Sequence, residues 1–320
     1  MAIHRSNLPQ LKGNYYLTDG GLETDLIFNH GVELPAFAAH TLLESERGQQ
    51  RLASYYADYL QLAGQLDRGF VLDVPTWRAQ RHFAEALACT PESLQSANQR
   101  AVDFIAGLRR EFATNGQPIV LNAIIGPCGD GYVADSCPTI EQAMRYHAEQ
   151  IQWLANTDVD MVSALTITNA AEAAGIVNAA QQAKLPVVIS FTVETDGTLP
   201  TGQPLHEAID EVDAATQAGA AYFMLNCAHP THFAQSLAQP TIRERVRGLR
   251  CNASTMSHAE LDCCDTLDDG DPDRLAQQYT QLLDALPRLC VLGGCCGTDI
   301  RHVSAIAHAM AQATRAASAA

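Results

Sequence analysis

Short apolar runs alternate with helical stretches along the whole chain. The runs are rich in Val, Ile, Leu or Phe, and most of them lack strict polar alternation. Strands that are buried on both faces have this pattern. It predicts eight strands: Tyr15–Thr18, Gly69–Val74, Ile119–Ile125, Asp160–Leu165, Pro186–Thr192, Tyr222–Asn226, Val246–Cys251 and Leu289–Leu292.

The segments between these runs have helical periodicity. Glu141–Leu154 repeats its apolar residues at helical spacing, Pro204–Ala218 begins with proline and stops before a glycine, and Pro272–Leu286 follows an acidic turn. Proline in the first turn, glycine after the last turn and acidic residues at the start are typical of helix ends. The connection Arg78–Gln117 predicts two further helices, and the Ala/Ser-rich tail Thr314–Ala320 predicts a fraying helix end.

Eight strand–helix units in unbroken alternation predict an α/β protein with a single (β/α)8 TIM barrel, in one domain over residues 1–320. The alternative is a doubly wound open sheet. That fold usually has fewer strands and a G-x-G-x-x-G turn after the first of them. The turn here is TDGGLET, which lacks that spacing and favours the barrel.

The composition limits the possible partners and the compartment. A formal net charge of −16 argues against binding to nucleic acid or to an anionic membrane surface, because both need basic patches. No apolar run is long enough to span a membrane, and the N-terminal segment has no apolar core of a signal peptide. We therefore expect a cytoplasmic protein. In a reducing cytosol its ten cysteines serve packing, metal binding or catalysis rather than disulfides.

The ends of the predicted strands carry a candidate metal site, because chemistry in a barrel lies at the C-terminal ends of its strands. Cys295 and Cys296, flanked by glycines, follow the eighth strand, and Cys227 follows the sixth, which lies two places away in the ring. Adjacent cysteines form disulfides poorly, and soft sulfur ligands select zinc over magnesium or calcium. Three thiolates around zinc would leave a fourth position open for a substrate.

A substrate thiol at that open position would be deprotonated and would become a nucleophile. Attack on a methyl carbon is the natural use of such a thiolate. The alternatives are two small buried cysteines without a metal, a zinc-dependent hydrolase or lyase, and a zinc or thiol sensor without turnover. The second vicinal pair, Cys263 and Cys264, lies in an acidic stretch away from any strand end, which predicts a surface loop.

Four motifs in this sequence resemble those of the zinc-dependent homocysteine S-methyltransferase family. They are TDGGLET, NAIIGPCGDGY, LNCAHP and VLGGCCGT, within a resemblance from about Tyr16 to about Thr298. The resemblance implies a (β/α)8 barrel, Zn²⁺ as cofactor and Cys227, Cys295 and Cys296 as its ligands. The reaction it implies is methyl transfer from a sulfonium donor to a thiol, with homocysteine as the expected thiol and methionine as the product.

The resemblance also implies roles for residues near the cysteines. Asp19 would bind the amino-acid end of the thiol substrate, and the backbone of Gly20 and Gly21 would allow it to approach. Glu23 lies in the same turn, where a first-turn acidic residue of a helix is the alternative interpretation. Asn226 would orient the metal loop, and Asn252 is placed beside the site.

Three places depart from the family pattern, and one of them is the motif NASTMSHAELD, which replaces the more usual Pro-Asn-x-Gly-Glu pattern of the seventh strand. Leu165 stands where the family usually has a glutamate that binds the substrate amine, which weakens the case for homocysteine. At the second strand the chain has Thr76-Trp77-Arg78, where Trp77 would face a sulfonium by cation–π attraction and Arg78 would pair with a donor carboxylate. These differences predict a divergent branch whose partners are a small-molecule thiol and a methyl donor. The sulfonium would be of the S-methylmethionine or S-adenosylmethionine type, and the oligomeric state is left open.

Overall fold

The computed structural model describes residues 2–113, 116–132, 134 and 137–319, with side chains up to residue 315. Eight parallel strands form a closed barrel in which each strand pairs with the next and the eighth pairs with the first. The strands are β1 Tyr16–Leu17, β2 Phe70–Val74, β3 Ile119–Ile125, β4 Met161–Ile167, β5 Val187–Phe191, β6 Tyr222–Asn226, β7 Val246–Cys251 and β8 Val291–Gly294. The predicted (β/α)8 barrel is confirmed.

One helix follows each strand on the outside of the barrel. These helices are α1 Glu46–Gln65, α2 Pro91–Phe112, α3 Ile140–Ala155, α4 Ala170–Gln182, α5 Leu205–Thr216, α6 Pro240–Arg245, α7 Pro272–Gln281 and α8 Ile300–Ala319. Short helical segments lie in the loops at Pro9–Leu11, Leu22–Thr24, Asp25–Asn29, Pro35–Phe37, Ala39–Glu44, Arg81–Phe83, Pro230–Phe233, Ala234–Ala238 and His258–Asp262. In the described part of the chain, no helix combines the length and apolarity needed to cross a membrane.

Local sequence signals fix the beginnings of several helices. Thr90 before α2 and Thr139 before α3 each form a capping box with the residue three positions later, and Asp271 accepts hydrogen bonds from two amides at the start of α7. Such caps satisfy backbone donors that have no partner within the helix. The described part of the connection Arg78–Gln117, for which two helices were predicted, contains the short 3-10 helix Arg81–Phe83 and the long helix α2. Ala320, the end of the predicted fraying tail, lies outside the described residues.

The barrel interior changes from apolar to polar along the strands. Its lower layer is an apolar cluster that includes Val71, Val120 and Met161, each on a different strand. Two residues further along these strands are Asp73, Asn122 and Ser163, which lie on the same inner face because strand side chains alternate. Asn122 donates to Asp73 over 2.6 Å, and Ser163 donates to Asn122 over 2.9 Å. A hydrogen-bonded polar layer therefore lies under the C-terminal rim.

The N-terminal segment closes the opposite end of the barrel. The amides of Ile3 and His4 each donate to Asp160 over 2.7 Å, and this carboxylate also pairs with Arg109 at 2.9 Å. Gln10 reaches into the barrel and donates to the Tyr222 hydroxyl over 3.3 Å. The lower end is thus filled by the protein itself, which leaves the C-terminal rim as the open end.

Candidate metal and substrate site

Three thiols converge at the C-terminal rim. Cys227 directly follows β6, and Cys295 and Cys296 directly follow β8. The Sγ atom of Cys227 lies 2.7 Å from that of Cys295 and 3.7 Å from that of Cys296, and all three sulfurs lie within 4.8 Å of one another. All three are free cysteines. The structure therefore brings the three predicted ligands together.

The cluster shares its protons unequally. Hydrogen bonds from Cys295 and Cys296 hold the pKa of the Cys227 thiol well below its usual range. Those bonds also raise the pKa of Cys295 and of Cys296, because each of them keeps its proton to donate it. Cys227 is therefore the thiol of the cluster that gives up its proton most readily.

The donor set fits zinc. Two sulfurs that lie about 2.3 Å from a tetrahedral zinc are about 3.8 Å apart, and the Cys227–Cys296 distance of 3.7 Å matches that value. The Cys227–Cys295 pair is closer, at 2.7 Å, and has to separate to share an ion. Among the described residues, this is the one group of three or more His, Cys, Asp or Glu side chains that could hold a metal.

The backbone of Cys227 is held in a left-handed conformation, with φ of +55°. Its carbonyl accepts a hydrogen bond from the side-chain amide of Asn252 over 3.0 Å, and the Nε2 atom of His258 lies 2.6 Å from the same oxygen. A left-handed conformation of a non-glycine residue costs energy unless its surroundings stabilise it. Asn252 and His258 provide that support from the segment after β7.

Asn226 connects the metal loop to two neighbouring strands. Its Oδ1 atom accepts from the amide of Thr166 over 2.9 Å and from the hydroxyl of Ser190 over 2.6 Å. Its Nδ2 atom donates to the Thr166 hydroxyl over 2.9 Å and lies 3.8 Å from the sulfur of Cys295. These hydrogen bonds hold the end of β6 immediately before the first cysteine.

Tyr132 is a residue of the site that the sequence analysis missed. Its hydroxyl lies 3.5 Å from the sulfur of Cys227 and 3.6 Å from that of Cys296, and its ring packs 4.6 Å from the ring of His258. Burial raises the pKa of this phenol, so it is a neutral donor. Its position at the end of the NAIIGPCGDGY motif was the available signal.

Arg250 on β7 was also missed. It forms ion pairs with Asp19, at 2.6 Å, and with Asp73, and it donates to the carbonyls of Gly294 and Gly20 at 3.0 Å each. These bonds join the ends of β1, β2, β7 and β8. The charge of Arg250 within the predicted strand Val246–Cys251 was visible in the sequence, but its orientation towards the barrel interior was not.

The same ion pair changes the expected role of Asp19. One carboxylate oxygen accepts from Arg250, and the other accepts from the hydroxyl of Tyr55 on α1 over 3.2 Å. Asp19 lines the cavity next to the cysteines, but both of its oxygens already have partners inside the protein. A substrate amine would be an additional partner for a carboxylate that already accepts hydrogen bonds from Arg250 and Tyr55.

Gly20 and Gly21 permit the β1 and β8 loops to pack against each other. A Cβ atom at Gly21 would lie 2.4 Å from the carbonyl oxygen of Cys295, and one at Gly20 would lie 2.9 Å from that of Thr298. Contacts under 3.0 Å are not tolerated by real side chains. The close approach that needs these glycines is therefore that of the cysteine loop, in addition to any substrate.

A cavity of about 300 Å³ opens beside the sulfurs. The predicted site residues on its wall are Asp19, Gly20, Glu23, Trp77, Arg78, Asn226, Cys227, Cys295 and Cys296. Thr76 and Asn252 lie behind the wall: Thr76 donates to the Ile124 carbonyl over 2.7 Å, and Asn252 holds the Cys227 loop. Their contributions are therefore structural support.

Glu23 lines the cavity from the short helix after β1. Burial raises its pKa to about 7, and the nearby charge of Asp19 acts in the same direction. Near neutral pH this carboxyl is therefore poised between its charged and neutral forms. A cation bound beside it would favour the charged form.

The surface loop predicted for the second vicinal pair is present. Cys263 is exposed and Cys264 is partly exposed, just after the short helix His258–Asp262. Neither belongs to the sulfur cluster.

Comparison with known proteins identifies the family. Residues 16–310 match the family model described as homocysteine S-methyltransferase. The chain belongs to this family. Membership makes it a methyltransferase, and it favours that activity over the hydrolase, lyase and sensor alternatives.

Two curated relatives of this methyltransferase come from plants. It is 22% identical over 323 residues to homocysteine S-methyltransferase 2 of Arabidopsis thaliana, and the match covers 92% of each chain. It is 24% identical over 242 residues to selenocysteine Se-methyltransferase of Brassica oleracea var. italica, covering 68% of this chain and 66% of the relative.

Solved structures of the homocysteine methyltransferase MmuM from Escherichia coli have the same fold. The oxidized form superposes with a TM-score of 0.73 at 17% identity, covering 92% of this chain and 96% of the other. The metallated form superposes with a TM-score of 0.73 at 16% identity, covering 93% and 96%. At this identity the likeness is one of fold.

The departure at Leu165 is visible in this methyltransferase barrel. Leu165 lies on β4 and lines the cavity with an apolar side chain. Its backbone carbonyl accepts a hydrogen bond from the indole nitrogen of Trp77 over 3.3 Å. The cavity therefore has an apolar wall where the family pattern predicts a carboxylate.

Proposed function

We propose that this methyltransferase moves a methyl group from a sulfonium donor to the sulfur of homocysteine, giving methionine, with Zn²⁺ as cofactor. The convergence of Cys227, Cys295 and Cys296 on one side of a cavity carries the proposal. These three residues would hold the metal. Zinc bound to them would lower the pKa of the substrate thiol and keep its sulfur nucleophilic.

The chemistry balances without any further reactant. The thiol proton goes to solvent, and a sulfur lone pair forms the new S–CH₃ bond as the C–S bond of the sulfonium breaks. The donor leaves as a neutral thioether. Because the donor loses its positive charge, the protein needs no strong acid to protonate the leaving group.

The protein's own residues would position the acceptor. We place the amino-acid end of homocysteine next to Asp19, Gly20 and Glu23, on the same wall as Cys295. The substrate ammonium would then shift Glu23 to its charged form, which supplies a negative partner that Leu165 cannot. Asn226 and Asn252 would keep Cys227 in the orientation that binds the metal.

The donor would occupy the part of the cavity lined by Trp77 and Arg78. The cavity volume of about 300 Å³ is at the lower end of the roughly 300–1,000 Å³ usual for ligand sites. Two substrates have to share it, which favours a compact donor of the S-methylmethionine type over the nucleoside-bearing S-adenosylmethionine.

A grid of donors and acceptors tests the proposal. Zinc-loaded enzyme is incubated with S-methylmethionine or S-adenosylmethionine and with homocysteine, cysteine or 2-mercaptoethanol, and the products are identified by mass spectrometry. We expect methionine from homocysteine, with S-methylmethionine as the better donor. Absence of methyl transfer to homocysteine from either donor would refute the proposal.

A further inference from the structure

Arg78 is clamped between two aromatic rings at the cavity wall. Its guanidinium carbon lies 3.9 Å from the centre of the Trp77 ring and 4.1 Å from that of Phe83. Arginine stacks well on aromatic faces because its charge is planar and weakly hydrated. The stacked position limits the freedom of the side chain before any ligand binds.

The Trp77 ring on which Arg78 stacks is held in place by contacts of its own. The Trp77 indole donates to the Leu165 carbonyl, and a Cβ atom at Gly126 would lie 2.9 Å from the indole nitrogen. Gly126 therefore allows the ring to pack closely against the β3 loop. Because Arg78 covers one face of Trp77, that face cannot meet a sulfonium as the sequence had suggested.

Arg78 lines the cavity without a direct ion pair to any described residue, although the carboxylates of Asp130 and Glu23 on the same cavity act on its charge from further away. Among the described residues it has no ion pair and no hydrogen bond, and its Nε atom is buried without a partner. By contrast, Arg109, Arg245 and Arg250 are each paired with a carboxylate. Burial lowers the pKa of Arg78, but a guanidinium stays charged at neutral pH.

A partly buried cation without a direct ion pair is costly, so its position in a cavity points to an anionic ligand group. The planar fork of a guanidinium matches a carboxylate, which accepts two parallel hydrogen bonds. Arg78 would repel the positive sulfonium centre of a donor. A donor that carries both groups would therefore place its carboxylate at Arg78 and its methyl group towards the sulfurs.

We propose that Arg78 binds the carboxylate of the methyl donor and thereby selects a zwitterionic amino-acid sulfonium over one without a carboxylate. This inference rests on the proposed function, since it assigns the donor to the Arg78 side of the cavity. The acceptor occupies the part of the cavity lined by Asp19 and Glu23. Arg78 is thus a specificity-determining residue on a loop distinct from those of the metal ligands.

The test compares S-methylmethionine with dimethyl(3-aminopropyl)sulfonium, which keeps the sulfonium and the amine but lacks the carboxylate. The wild-type, zinc-loaded enzyme is expected to prefer S-methylmethionine in kcat/KM by roughly 10–100-fold, the range for a hydrogen-bonded charge pair. Arg78→Gln should lose most of this preference through a higher KM for S-methylmethionine. Its KM for homocysteine should stay within about twofold of wild type.

Two further variants show whether the effect of Arg78→Gln comes from loss of the guanidinium at this position. Arg78→Lys keeps the charge but not the fork, and it should restore part of the preference. Arg81→Gln is the matched control, because Arg81 lies three residues away and pairs at the surface with Glu149 at 3.0 Å. This control should leave both KM values unchanged.

Calorimetric titration of S-methylmethionine into zinc-loaded enzyme separates this inference from the proposed function. Binding that is lost in Arg78→Gln supports the carboxylate site even if homocysteine proves to be the wrong acceptor. The inference is overturned if wild type uses both donors equally well. It is also overturned if Arg78→Gln raises the KM for homocysteine instead of that for the donor.

Discussion

The guanidinium of Arg250 lies 2.6 Å from the carboxylate of Asp19, although 231 positions separate the two residues in the chain. The same guanidinium pairs with Asp73, and burial raises the pKa of this second carboxyl to about 6 despite the attraction of the arginine. Both carboxylates depend on one cation. Together they tie the first two strands of the barrel to the last two.

Replacement of Arg250 by Met should be strongly destabilising, because it leaves two buried carboxylates without their partner. We expect a loss of about 3–5 kcal/mol in the free energy of unfolding, measured by urea denaturation. Arg245→Met is the control, since Arg245 pairs with Asp213 at 2.7 Å in a partly exposed position. Equal losses for the two variants would contradict the role given to Arg250.

Cys295→Ser should lose zinc and methyl transfer together. A hydroxyl is a poorer zinc ligand than a thiolate, so the site would keep two sulfurs. Metal content by atomic emission and turnover with homocysteine measure the two effects. Cys263→Ser, an exposed cysteine outside the cluster, should change neither. Full activity of Cys295→Ser without bound metal would rule out a catalytic zinc.

Gly21→Ala should disturb the metal site through the backbone. Its added methyl group would lie 2.4 Å from the Cys295 carbonyl oxygen, so the β1 and β8 loops would have to separate. We expect a destabilisation of about 1–3 kcal/mol by overpacking, with weaker zinc binding. In Gly13→Ala the new Cβ meets nothing within 4 Å, so that variant should behave like wild type. Unchanged zinc affinity in Gly21→Ala would show that the loops do not depend on this contact.

Asn252→Ala should weaken zinc binding without unfolding the protein. The variant removes the 3.0 Å hydrogen bond to the Cys227 carbonyl and leaves the three sulfurs in place. Loss of such a supporting contact typically lowers metal affinity roughly 10–100-fold. Competition with a chromophoric chelator measures the affinity, and a melting curve checks the fold. A variant with wild-type affinity would place the support of this loop on His258 alone.

Glu23 should make the stability of the zinc-free protein depend on pH. Its folded pKa of about 7 lies above the usual value of 4.5 for this side chain, so the folded state takes up more protons than the unfolded state in this interval. The contribution of Glu23 to stability is therefore greatest below pH 4.5 and is lost as the pH rises to about 7. Relative to Glu23→Gln, wild type should lose melting temperature over that range. A difference that is constant with pH would contradict the raised pKa.

Much of the fold was predictable because the strands are buried on both faces and read as apolar runs. The runs Ile119–Ile125, Tyr222–Asn226 and Val246–Cys251 coincide with the observed strands. The prediction of the last strand, Leu289–Leu292, is wrong by two residues, because the observed strand is Val291–Gly294. This strand ends in two glycines, which a hydrophobicity pattern does not recognise as part of a strand. The cysteines could be found because strand ends converge in any barrel.

The connections among site residues were not predictable in the same way. Arg250 lies inside an apolar run, and only the barrel geometry shows that it faces Asp19 and Asp73. Tyr132 reaches the sulfurs from a loop whose course no periodicity describes. The charge on Arg78 was visible in the sequence, but only the folded chain shows that no carboxylate of the described residues forms a direct ion pair with it.

The hydrogen bond from Trp77 ends on the backbone carbonyl of Leu165, a group that every amino acid supplies. The hydrogen bond that holds the Trp77 ring, on which Arg78 stacks, therefore does not depend on which side chain occupies position 165. A substitution at position 165 can therefore change the cavity wall that faces the acceptor without removing Arg78, which binds the donor. Acceptor preference and donor preference can thus be changed by separate substitutions in this barrel.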